Sequence, residues 1–228
     1  MKTVFSFSLF GSADKYCKGL LRNIEEIRER FPGWLVYVAI GNDVPEHMLE
    51  TLRSIPIVHL TFTGETGLVN MSYRFFAIDD PTVDISIVRD ADSRIYERDA
   101  ECIKDFVNSP NKFHIIRDHP NHFHRIMGGM WGIKKGILSQ PLFSLFQEWR
   151  KTHSATEFWN DMEFLAAVFY PYVLNTTMVH DTLHTFEPEY MKTPFRVPIG
   201  DGSHFIGQSY LFDDNGNEYP HFNYFKTT

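Results

Sequence analysis

Val83-Asp84-Ile85-Ser86-Ile87-Val88 runs straight into Arg89-Asp90-Ala91-Asp92-Ser93-Arg94. Val and Ile dominate the first six residues, which predicts a buried strand. The strand ends on two carboxylates one residue apart. Strands of this kind belong to parallel sheets covered on both faces, and such sheets take their ligands beyond the carboxyl ends of the strands. Asp90 and Asp92 then stand on a ligand-binding rim. A bare Asp-x-Asp also suits a solvated capping loop. At a strand end it can hold a hard cation between oxygen ligands, which favours Mn²⁺ or Mg²⁺. Such an ion bridges a diphosphate and neutralises charge on a leaving group.

The chain upstream repeats the pattern. Residues 3–10, 34–40 and 57–62 read as strands. Residues 16–31, 45–54 and 66–78 read as helices, the first from apolar positions at Leu20, Leu21, Ile24 and Ile27. Gly11-Ser12-Ala13-Asp14 supplies a turn and a helix cap. This alternation predicts an α/β fold with a mostly parallel, Rossmann-like central sheet and helices on both faces. Residues 8–12, 40–43 and 89–94 share its rim. Downstream, 97–108, 140–153 and 161–169 read as helices and 113–116 as a strand. The remainder reads as short strands and loops. No repeat or linker interrupts residues 1–228, which read as a single domain.

Composition sets the outer limits. The 228 residues are 43% apolar and 22% charged, a globular balance with material for one core. A net charge of −7 argues against nucleic acid as the main partner. Cys17 and Cys102 offer no disulfide framework. No apolar run is long enough for a membrane span, so the expected location is cytoplasmic.

Ile85 to Arg94 resembles the metal-binding strand and loop of GT-A-fold nucleotide-sugar glycosyltransferases. Ile116-Arg117-Asp118-His119-Pro120 and Met127-Gly128-Gly129-Met130-Trp131-Gly132 are similar to the next segments of a group from large algal DNA viruses (chloroviruses) and related bacterial proteins. The resemblance spans about residues 3–210. It implies a nucleotide-sugar and metal-binding half over about 1–110 and an acceptor-side half over about 111–228. It implies a metal-dependent hexosyl- or pentosyltransferase that moves a sugar from a nucleotide-diphosphate donor to a glycan hydroxyl. UDP is favoured over GDP as the donor nucleotide. If the chain is viral, it works in the host cytoplasm on viral glycans.

By position, Ser8, Leu9, Gly11 and Tyr16 match the loop that holds base and ribose, with Tyr16 stacking on the base or packing in the core. Arg74 falls where such enzymes place a basic donor-site residue, or forms a surface salt bridge. Arg89, Asp90 and Ala91 complete the donor wall. Gly128 and Gly129, lacking Cβ atoms, let backbone approach a sugar or phosphate. Trp131 walls a sugar ring or packs as core. Trp159-Asn160-Asp161-Met162-Glu163 is similar to a family helix start, with Met162 where Gln is common. Asp161 is the candidate general base, an acceptor-orienting group, or a helix-terminal carboxylate. Glu163 is its rival. His180 is the candidate third metal ligand, with His184 and His204 as competitors. His119, His122 and His124 read as a substrate loop in preference to a zinc site.

Two other classes compete. A sugar-phosphate nucleotidyltransferase would carry a Gly-rich, basic loop after the first strand, and Phe10-Gly11-Ser12-Ala13-Asp14 has no such character. A non-catalytic nucleotide-sugar or glycan-binding module would not need an intact Asp90-x-Asp92.

Overall fold

The computed structural model describes residues 1–154, 160–199 and 204–221. Trp159, the first residue of the motif read around Asp161, lies outside them.

The chain runs β1 (Thr3–Leu9), α1 (Asp14–Arg30), β2 (Leu35–Ile40), α2 (Glu46–Arg53), β3 (Val58–Phe62), a 3₁₀ segment (Gly67–Asp79) and β4 (Ile85–Arg89). It continues through α3 (Glu97–Asn108), β5 (Phe113–Arg117), β6 (Met130–Lys134) and α4 (Leu142–Arg150). Then follow α5 (Asn160–Phe164), a π-helical turn (Leu165–Phe169), α6 (Tyr170–Val173) and β7 (Thr177–Asp181). A small hairpin, β8 (Tyr210–Phe212) and β9 (Glu218–Pro220), closes the described chain.

The seven-stranded sheet has the order β3-β2-β1-β4-β6-β5-β7. All its pairings are parallel except those of β6, which runs antiparallel to both β4 and β5. Two cores cover its faces. Phe5, Phe7 and Leu9 of β1 join Ile85 and Ile87 of β4 under α1, α2 and α3. Val88, Trp131 and Phe113 point the other way, against α4 and the α5–α6 helix. The period of two along β1 puts small Ser6 and Ser8 on that second face. The 3₁₀ segment packs close there, and Ser6 Oγ donates to Arg74 O at 2.7 Å.

Several expectations about local structure change. Residues 67–79 form 3₁₀ turns in place of the α-helix read over 66–78. The α1 N-terminus has no side-chain cap; Gly11, at φ 68°, makes the turn into it. The helix expected over 161–169 widens into a π turn just before Pro171. Proline has no N–H to donate four residues back and crowds that carbonyl, which the wider turn relieves. Strands β6 and β7 were not read from sequence.

Candidate active site

Chain order reverses at β1. From β1 the sheet grows outward through β2 to β3, and the next strand, β4, returns to β1's other side. A crevice opens beyond the carboxyl ends of strands at such a switch point. The cleft found there encloses about 960 Å³ of space including its open mouth. Ser8, Phe10 and Tyr16 from the β1 side and Asp90, Ala91 and Asp92 from the β4 side line it. Arg74, Gly128, Gly129, Asp161 and Met162 form the opposing wall.

The Asp90–Asp92 loop is held by its carbonyls. Asn23 Nδ2, fully buried on α1, donates to Ala91 O at 3.2 Å. Ser93 Oγ donates to Asp90 O at 2.9 Å, and Tyr210 N to Asp92 O at 2.8 Å. Gly19 lets α1 come this close, because a Cβ there would lie 2.4 Å from Ala91 O. Arg94, behind the loop, is held by Glu218 of β9 at 2.7 Å. With the backbone fixed, both carboxylates face the cleft. The Asp90 side chain is 42% exposed and the Asp92 side chain 15%. Burial and the neighbouring Asp90 charge push the Asp92 carboxyl above its usual range.

Arg74 organises the opposing wall from a buried position. Its Nη2 donates to Asp161 Oδ2 at 2.9 Å and lies 3.2 Å from Asp90 Oδ1. Its Nε donates to Gly128 O at 3.2 Å and its Nη1 to Met71 O at 2.5 Å. Asp161 Oδ1 accepts the Met162 N–H at 2.8 Å. Burial raises the Asp161 carboxyl, with Arg74 pulling the other way. Asp161, the candidate acceptor-side carboxylate, lies beside the Asp90–Asp92 pair. It shares a single guanidinium nitrogen with one of them.

Gly128 and Gly129 are close-approach residues, and what approaches them is this charge cluster. A Cβ on Gly129 would lie 2.1 Å from Asp90 Oδ2; one on Gly128 would lie 2.5 Å from Arg74 Nη2 and 2.7 Å from Asp161 Oδ2. Neither residue has a positive φ, so space and not backbone conformation demands glycine.

Other expected site residues fall elsewhere. Trp131 is fully buried against Phe75, Phe113 and Phe169, so it is core and walls no sugar. Leu9 is core as well, while Ser8 lines the cleft with a buried hydroxyl that has no hydrogen-bond partner among the described residues. Arg89 reaches the cleft wall, but Asp99 grips its guanidinium at 2.6 and 2.8 Å. Glu163 is exposed on the far side of α5, because residues two apart on a helix face apart. His180 is fully buried on β7, with Nδ1 2.8 Å from His114 Nε2. Strands β6 and β5 separate β7 from β4, and three strand spacings come to about 14 Å. His180 is therefore not a ligand beside Asp90. His204 pairs with the Tyr210 hydroxyl and His184 with Asp181. Of the three loop histidines, His122 lines the cleft.

Phe10, Met71, Met127 and Gly207, given no role from sequence, complete the wall, and Lys15 stands beside the lining residue Asp92 at 3.6 Å. Lys15 carried one readable signal. A cation in the first turn of a helix opposes the helix dipole and so needs another reason to be there.

The donor set fits a divalent cation. Two carboxylates converge on the cleft, and no group of three or more His, Cys, Asp or Glu capable of holding a metal occurs among the described residues. Two protein oxygens leave most positions to phosphate and water, the usual arrangement for Mg²⁺-like ions.

No protein-family model and no curated protein matches the chain. Solved structures do. A glycosyltransferase involved in glycosylation of the major capsid of PBCV-1 matches with a TM-score of 0.54 at 15% identity, over 79% of this chain and 82% of that one. The galactosyltransferase LgtC, in complex with donor and acceptor sugar analogs, matches with a TM-score of 0.60 at 11% identity, over 87% and 85%. The mannosyltransferase PcManGT from Pyrobaculum calidifontis, in complex with GDP-Man and Mn²⁺, gives 0.50 at 14%, over 80% of this chain but 55% of that one. A glucose-1-phosphate thymidylyltransferase from Bacillus anthracis shares the architecture at 0.51 and 10%, over 80% and 87%. The chain has the Rossmann-like GT-A fold, the architecture it shares with these structures. Among the described residues, no helix is long and apolar enough to cross a membrane.

Proposed function

We propose that this protein is a glycosyltransferase that moves a sugar from a nucleoside-diphosphate donor, UDP favoured, to a hydroxyl of a carbohydrate acceptor. The observation that carries the reading is the placement of Asp90 and Asp92 on a cleft at the β1/β4 switch point, facing Arg74 and Asp161. Asp90 and Asp92 would hold Mn²⁺ or Mg²⁺, which would supply charge neutralisation to a diphosphate leaving group. Ser8 offers its unpaired hydroxyl to the nucleoside, and Tyr16, stacked at 6.3 Å on Phe10, offers an aromatic face. Arg74 brings positive charge to the donor end. Asp161 orients Arg74 and keeps lone pairs for an acceptor hydroxyl.

The donor half of this reading is tested by a thermal-shift panel of nucleotide-sugars with and without Mn²⁺. A ligand bound by the native state raises the melting temperature. A UDP-sugar that stabilises only with Mn²⁺, and whose sugar appears on an acceptor or in water, supports glycosyl transfer. Release of pyrophosphate from a nucleoside triphosphate and a sugar phosphate would support the nucleotidyltransferase alternative. Stabilisation with no turnover of any donor would reduce the protein to a binding module.

A further inference from the structure

Among the described residues the charges around the cleft do not balance, and the two cations that offset them are held very differently. Asp90, Asp92 and Asp161 supply three carboxylates. Arg89 contributes nothing to them, being gripped by Asp99. Arg74 answers Asp90 and Asp161 from a buried position and is fixed by two backbone carbonyls as well. That leaves Asp92 to Lys15. Its ammonium lies 3.6 Å from Asp92 Oδ2, beyond hydrogen-bond range, and its side chain is 36% exposed. The same nitrogen sits 4.4 Å from the centre of the Tyr16 ring, which lines the cleft. Lys15 is thus a loosely held cation on a flexible stem, standing between the carboxylate pair and the aromatic wall.

A divalent ion settling on Asp92 brings two positive charges toward that ammonium. The two cannot share the carboxylate without repulsion. A diphosphate bound beside such an ion would bring the nearest new negative charge. We propose that Lys15 is an exchangeable counter-ion: it neutralises Asp92 until metal and nucleotide arrive together, then transfers its ammonium to the diphosphate of the nucleotide. The inference rests on the metal- and donor-binding reading of the cleft. It adds a specific consequence, that Lys15 opposes metal binding in the absence of nucleotide and favours nucleotide binding in the presence of metal.

The test is calorimetry on the full chain, wild type against Lys15→Met and Lys15→Arg, titrating Mn²⁺ alone and then UDP at saturating Mn²⁺. Lys15 is partly exposed, and unchanged melting of the ligand-free variants verifies that they fold. With Lys15→Met, Mn²⁺ alone should bind about threefold more tightly, the scale of one exposed ion pair removed. UDP with Mn²⁺ should bind about tenfold more weakly, the scale of one lost charge-assisted hydrogen bond. Lys15→Arg should stay near wild type in both titrations, because the charge is retained. Equal affinities in wild type and Lys15→Met overturn the exchange while leaving the metal site standing. Weaker binding of both ligands in Lys15→Met also overturns it, since Lys15 would then only shape the loop. If wild type binds neither Mn²⁺ nor UDP, the donor reading itself fails and the proposal falls with it.

Discussion

Arg74 Nη2 stands 2.9 Å from Asp161 Oδ2 and 3.2 Å from Asp90 Oδ1, so one nitrogen ties the α5 side of the cleft to the β4 rim. The link couples the candidate acceptor-side carboxylate to the candidate metal rim. Asp161→Asn keeps the shape of the side chain but removes its charge, and Arg74 then turns wholly to Asp90. Donor affinity should fall by about tenfold, in keeping with an altered charge-assisted contact, and transfer should fall further. Affinity and rate measured on one preparation decide the matter. Unchanged donor affinity with lost transfer would make Asp161 a purely acceptor-side group.

Removing the guanidinium is a harsher change. Arg74→Met leaves Asp161 buried without its counter-charge. Such a break costs about 3–5 kcal/mol when the remaining charge stays buried. Urea unfolding should show a loss of that order at pH 7, smaller if the Asp161 carboxyl takes up a proton. A midpoint equal to wild type would show that Arg74 does not hold the wall together.

Gly129→Ala places a methyl where Asp90 Oδ2 now lies, at 2.1 Å. That methyl would also lie 2.8 Å from Asp90 N, so the carboxylate must swing away and the backbone entering β6 must shift as well. The expected result is a folded protein, destabilised by about 1–3 kcal/mol from overpacking, that has lost Mn²⁺-dependent donor binding. Retained binding would show that Asp90 can reach a metal from another rotamer.

Acid should weaken the fold through buried histidines. Burial lowers the pKa of His114 well below its usual value and that of His180 to about 4, with the two rings in contact. Burial likewise lowers that of His122 to about 3. The unfolded chain takes up these protons near pH 6.5 and the folded chain does not. Their contribution to stability is therefore complete above about pH 6.5 and declines as pH falls toward the folded values. Urea midpoints between pH 7 and pH 5 should drop steadily, before most carboxylates titrate. A flat profile over that window would show that the histidines are not held neutral.

The first half of the fold was legible because β1 and β4 are buried on both faces, and β2, partly buried on one face, is still a continuous apolar run. The same runs end at the rim, so Asp90, Asp92 and Ser8 could be placed there from the sequence, whereas Tyr16, inside α1, came from the resemblance alone and stood open between base stacking and core. Strand β6 was hidden because it is short, follows Gly128-Gly129 and carries Gly132, whose missing Cβ makes room for Ile87 and Phe106. With β6 unread, Trp131 was free to be imagined beside a sugar, although the strand turns it into the core. His180 failed for a related reason: periodicity says nothing about strand order, and order alone puts β7 at the far edge. The Arg74–Asp161 contact joins residues 87 apart in sequence and had no local signature.

The central claim is that Asp90 and Asp92 bind a nucleoside-diphosphate donor through a metal ion. The most direct measurement is calorimetric titration of UDP into wild type and Asp92→Asn, each with Mn²⁺ and with chelator. Wild type should bind UDP with Mn²⁺ and lose most of that affinity in chelator. Asp92→Asn should melt close to the wild-type temperature and show the weak, chelator-like affinity under both conditions. Equal UDP affinity for wild type and Asp92→Asn, unaffected by chelator, would contradict the claim.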